Sequence, residues 1–119
     1  MNRRTALAFL VAFATSATIW ALSPVLTGQS EPWDVDGLFY FGSLVVAGAI
    51  SGGLAPRPLW AHYVGAVVGQ LAYELIFLKL GPLVLIGAVF LLCYSLLFLA
   101  AAAGAAYVRL HYTARSSAA

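Results

Sequence analysis

Charge is scarce in this chain. Only 8% of its 119 residues are Asp, Glu, Lys or Arg, against about a quarter in an ordinary water-soluble domain. With 63% of residues hydrophobic, polar groups are too few to cover a globule in water, so lipid has to be part of the solvent. Cysteine is nearly missing as well. The single Cys93 excludes an internal disulfide and any Cys-rich metal site. Lysine is represented by Lys79 alone, and the five arginines are spread along the chain at Arg3, Arg4, Arg57, Arg109 and Arg115. A formal net charge of +2, with no dense basic patch, excludes nucleic acid as a partner, because phosphate neutralisation needs clustered Lys and Arg.

Catalytic patterns are missing too. There is no HExxH, no glycine-rich phosphate loop and no Ser/His/Asp set at one depth. The chain therefore reads as not an enzyme. His62 and His111 are the only histidines, and His111 falls beyond the apolar part of its segment, so a haem held between two helices does not fit. No metal and no cofactor is expected.

What the chain does have is four long apolar runs, approximately 5–26, 38–55, 59–80 and 83–110. About 20 residues at 1.5 Å each span a bilayer's hydrocarbon core. Backbone groups find no water there, so such runs must be helical. A barrel would need alternating strands of about 10 residues, and no such alternation is present. Pro56-Arg57-Pro58 and Gly81-Pro82 break the second run from the third and the third from the fourth. The connector 27–37 is the one long polar loop, and the tail after Tyr112 reads as frayed. The fold expected is all-α: four antiparallel transmembrane helices in one compact bundle, forming a single domain over 1–119, with short connectors pairing sequence neighbours as hairpins.

Orientation follows from arginine. With the N-terminus inside, all five arginines face the cytoplasm and only Lys79 faces out. This places the chain as a multi-pass protein of the cytoplasmic (inner) membrane with both termini cytoplasmic. Trp20, Trp33 and Tyr40 then fall at the outer interface, and Trp60, Tyr63, Tyr107 and Tyr112 at the inner one, as aromatic anchors. Asn2-Arg3-Arg4 before an apolar run also fits a secretory signal, with Ala21-Leu22-Ser23 as its cleavage site. The run Thr5 to Leu22 has 18 residues. A signal peptide's apolar region has about 7–15, so an uncleaved anchor is favoured. Arginine over lysine and abundant alanine point to a bacterial source.

Small residues recur every four positions: Ala8, Ala12 and Ser16; Ser43, Ala47, Ser51 and Ala55 beside Gly48 and Gly52; Ala61, Gly65 and Gly69; Ala102 and Ala106 near Gly104. Such lanes let helix backbones approach closely. Gly48, Gly52, Gly65 and Gly69 are the expected packing positions, within the monomer ahead of a self-association face.

Glu74 is the residue richest in chemistry. It lies about 9 Å inside the outer end of the third run, at 1.5 Å per residue. Acids at such positions face a bundle interior or a water cavity. Gln70 is one turn earlier on the same face, and Tyr94 on the fourth run reaches a similar depth, where it can hydrogen-bond Gln70. Glu74, Gln70 and Tyr94 thus form a candidate polar site for a proton or cation, weighed against a structural reading of Glu74 as interhelical glue. Glu31, Asp34 and Asp36 form a candidate outer-loop cation contact. Asp34-Val35-Asp36-Gly37 lacks the rest of a calcium loop, so helix capping is the simpler role.

The leading functional expectation is a small non-catalytic accessory or interaction component, assembling with itself or with a larger membrane complex. The runner-up is a small oligomeric transporter or channel using Glu74, and a membrane enzyme subunit comes third.

Overall fold

Asn2 opens the first helix by accepting the Thr5 N–H on its side-chain oxygen at 2.8 Å, which satisfies one of the donors a helix start leaves open. The helix then runs as α1, Arg3–Thr27, with Pro24 inside its last turns. It stops at Gly28, whose φ of 80° is the left-handed conformation that glycine adopts without strain. Three more helices follow: α2 at Phe39–Leu54, α3 at Leu59–Phe77 and α4 at Val84–Ala118. In the computed structural model, residues 2–28, 38–77 and 84–118 are described, with side chains through residue 113 except at residue 84. Pro56 ends α2 by steric exclusion. It pushes Ala55 out of the helical region to φ −139° and ψ 83°.

Among the described residues, two helical stretches are long and apolar enough to cross a membrane, Arg3–Thr27 and Leu85–Thr113. Phe39–Leu54 is a shorter apolar helix. α4 continues through Ala118, past the expected end at Leu110 and through the stretch read as frayed. No glycine or proline interrupts Tyr112 to Ala118, so nothing there breaks the hydrogen-bond ladder.

The four helices form a compact bundle, but its pairing is not between sequence neighbours. α1 packs most extensively on α3, and α2 on α4. α2 and α3 scarcely touch although only 55–58 separates them, so they stand diagonally across the bundle. This corrects the expected hairpin pairing across Pro56-Arg57-Pro58. The physical reason is glycine placement. A Cβ added to Gly65 or Gly69 would come closer than 3.0 Å to the α1 backbone at Phe9 or Phe13. One added to Gly48 or Gly52 would do the same to the α4 backbone at Phe98 or Ala102. Bare glycine surfaces let these two pairs approach more closely than any side-chain-bearing face allows. In both pairs the residue numbers rise together, so α1 runs with α3 and α2 runs with α4.

Large apolar side chains are not confined to the interior. Buried positions include small or polar residues such as Ala8, Ala12, Ser16, Ser51, Gln70 and Ser95, while Val25, Leu38, Leu85, Ile76 and Phe77 are largely exposed. The larger buried side chains, Trp20, Tyr40, Leu44, Leu91 and Phe98, cluster toward one end. Ala8, Ala55 and Ala61 make a smaller core at the other. There, Arg109 Nη1 donates to the Gly53 and Leu54 carbonyls at 2.7 and 2.9 Å. It caps the carbonyls that the end of α2 leaves open, where a cation also suits the helix dipole.

Gly52 and Gly53 separate packing from propensity. Gly52→Ala is expected to cost about 1–3 kcal/mol by forcing α2 off α4. Gly53→Ala meets nothing within 4 Å and should be neutral or stabilising by up to about 1 kcal/mol. Equilibrium unfolding in detergent micelles reads both.

Candidate functional site

Gln70 lies on the buried face of α3 and is fully enclosed. Its Oε1 accepts from Trp20 Nε1 on α1 at 3.0 Å and from the Tyr40 hydroxyl on α2 at 2.6 Å. Its Nε2 donates to Ser95 Oγ on α4 at 3.0 Å and to the Ala66 carbonyl of its own helix at 3.2 Å. A primary amide offers two acceptor lone pairs and two donors. All four are used, and they reach all four helices. Buried polar groups are tolerated when satisfied in this way and are costly otherwise.

The expected partner from α4, Tyr94, is displaced from this role by Ser95. Tyr94 is half-buried and meets the hub through its ring. It stands edge-on to Tyr40 with centroids 5.4 Å apart and packs on Phe41 at 5.6 Å. Glu74 lies one turn beyond Gln70, 7% exposed, and its carboxyl is within Coulombic range of Tyr40. Gln70, Tyr94 and Glu74 are thus gathered in one region with Tyr40 between them. Glu31, Asp34 and Asp36 lie outside the described residues, as do Trp33 and Lys79. Among the described residues, no group of three His, Cys, Asp or Glu side chains is close enough to hold a metal ion.

Gly48, Gly52, Gly65 and Gly69 are all buried, at the two close helix pairs. Gly104 is exposed, with open space beside it. A second polar contact joins α1 to α2, where Thr15 Oγ1 and Ser51 Oγ are 2.9 Å apart. His62 is fully buried. Its Nε2 contacts the Ala55 carbonyl, and its Nδ1 has no hydrogen-bond partner among the described residues.

Trp20 and Tyr40, read from sequence as interface anchors, are instead buried, 0% and 3% exposed. Ser95 was not singled out at all. The spacing held the signal. Trp20 continues the Ala8, Ala12, Ser16 lane by one more step of four, and Tyr40 and Leu44 extend the Gly48, Gly52 lane backwards. Positions four apart share a helix face, so the lanes that pack the helices also aim these side chains inward.

Comparison with protein-family models, with curated proteins and with solved structures finds no match to this chain.

The hub's role in stability is separable. Gln70→Met removes the acceptor of two bonds and the donor of two more, with an expected loss of about 1–3 kcal/mol. Trp20→Phe and Ser95→Ala should each cost less, roughly 0.6 kcal/mol as typical of interhelical bonds in membranes. In the Gln70→Met background both effects should shrink, since the shared partner is gone. A double-mutant cycle of unfolding in micelles checks this.

Proposed function

We propose that this chain is a small polytopic protein of the bacterial inner membrane, a non-catalytic accessory or interaction component built as a four-span bundle. The observation that carries the non-catalytic reading is the saturation of Gln70. This fully buried amide uses every donor and acceptor to tie the four helices together, so it holds structure and keeps nothing in reserve for a substrate.

The membrane reading is supported by the apolar exterior and by the small residues at the closest helix contacts. Association of helices in lipid rests on close packing and internal hydrogen bonds rather than on burying large apolar side chains. Alternation of direction is supported by the common direction of α1 and α3 and of α2 and α4. It is also supported by the Thr15–Ser51 contact, which joins the middle of α1 to the late part of α2. Arg4, Arg57 and Arg109 line one cavity at a single end of the bundle, as a cytoplasmic end carrying both termini requires. An interaction role has a surface available. α1 and α2 flank a cavity of about 540 Å³ lined by Ile19, Leu22, Leu26, Phe39, Gly42 and Ile50 among others, a largely apolar surface suited to another apolar helix.

A second reading, a transporter or channel for a proton or cation, is favoured by one observation. Glu74 is buried on the same face as the hub, and intramembrane acids commonly mark ion pathways. Glu74→Gln separates the two readings. An accessory protein keeps its fold, its complex and its phenotype, whereas a transporter keeps its fold and loses flux.

Orientation is tested by cysteine labelling in a Cys93→Ser background. An impermeant maleimide applied from outside should modify Ser30→Cys and leave Ser116→Cys untouched. The reverse pattern rejects the orientation. Gentle extraction followed by native mass spectrometry should recover a defined assembly, and a lone monomer under all conditions counts against the accessory role.

A further inference from the structure

Three arginines far apart in sequence converge at one end of the bundle. Arg4 on α1, Arg57 in the α2–α3 connector and Arg109 on α4 line a cavity of about 320 Å³ together with Leu7, Leu54 and Leu110. Like charges brought together on a common cavity repel, and elsewhere an acid usually offsets them. Among the described residues no acid lines this cavity. The described acid is Glu74. Glu74 lies 15 residues along α3 from Leu59, about 22 Å at 1.5 Å per residue. Arg109 is held in place by its Nη1 bonds to the Gly53 and Leu54 carbonyls, and its other guanidinium donors have no partner among the described residues. Arg4 and Arg57 likewise have none among the described residues.

The cavity is not purely polar. At Pro56, Arg57 and Leu110 it adjoins a larger one of about 860 Å³, walled by Leu59, Trp60, Ala103, Tyr107 and His111, whose ring stacks on Tyr107. Trp60 and Tyr107 are 60% and 70% exposed. A cationic pocket thus opens directly onto an apolar, aromatic trough. A free anion would use the pocket alone. A molecule with a phosphate at one end and an acyl chain at the other uses both.

We propose that Arg4, Arg57 and Arg109 bind the phosphate of an anionic phospholipid, whose acyl chain lies along the trough beside Trp60 and Tyr107. Guanidinium groups match phosphate oxygens in geometry and charge, and basic pockets at the cytoplasmic ends of helices are suited to anionic headgroups. The site rests on the membrane reading above, with this end of the bundle at the inner headgroup level.

The test uses the full chain purified in a neutral detergent, with thermal unfolding as readout. Phosphatidylglycerol added to the micelles should raise the melting temperature by several degrees. Phosphatidylcholine at the same mole fraction, and inorganic phosphate alone, should not. The paired variant Arg4→Gln/Arg57→Gln should melt as the parent does without lipid, because neither side chain bonds the described protein, and should lose the phosphatidylglycerol shift. High salt should shrink the parent's shift, since exposed charges are screened. An equal shift from inorganic phosphate would overturn the lipid assignment. So would a shift that survives in the paired variant. Carbonate extraction of the same membranes reports integration separately. A chain that resists extraction yet shows no lipid selectivity overturns the pocket alone, and a chain that extracts overturns the membrane reading beneath it.

Discussion

The Gln70 amide sits where the four helices meet, and its geometry constrains them all. Two donors and two acceptors must be satisfied in an environment without water. They are met by an indole from α1, a phenol from α2, a hydroxyl from α4 and a carbonyl of α3 itself. A shift of one helix along its axis by a single residue, about 1.5 Å, would pull one of these bonds beyond useful length. The amide therefore sets axial register. It does so without a charge, which avoids the desolvation cost that an ion pair would carry at the same place.

Around that register the glycines set distance. Gly65 and Gly69 bring α3 onto α1, and Gly48 and Gly52 bring α2 onto α4, each within a separation that excludes a Cβ. Close backbones are what place Ser95 and Trp20, on different helices, within reach of one amide. Packing and polar network are consequently one device. The glycine lanes bring the backbones near, and the amide holds them at one register. Many large apolar side chains are left on the outer surface of the bundle.

Much of this was legible in the residues. Charge content, run lengths and the breakers Pro56 and Pro58 foretold four helices, although α4 runs through Ala118 rather than ending at Leu110. The period-four lanes named the glycines at both close pairs. The partner of each lane was not legible, because a small-residue face matches any other small-residue face. A short connector such as 55–58 then suggested a hairpin that the bundle does not make. Trp20 and Tyr40 misled for a related reason. Amphipathic rings near helix ends usually anchor to an interface, and only their alignment with the lanes showed that they point inward. Gln70 and Glu74 stood out because polar groups in apolar runs are costly. Ser95 did not, since a serine in an apolar helix can bond its own backbone and so asks for no partner.

Charge follows a complementary logic. The described acid, Glu74, lies at the end of the bundle with the hub, and the three cavity arginines gather at the other. This separation of charge leaves a cationic pocket at one end, the site proposed above for a lipid phosphate. Everything else depends on the amide at the centre. The most direct test is magic-angle-spinning NMR of the protein in lipid bilayers, following the Gln70 side-chain amide and the Trp20 indole. A saturated Gln70 amide gives a through-space correlation between the two groups and resists exchange with deuterated water. A Gln70 amide that exchanges as fast as a free side chain, with no correlation to Trp20, would contradict it.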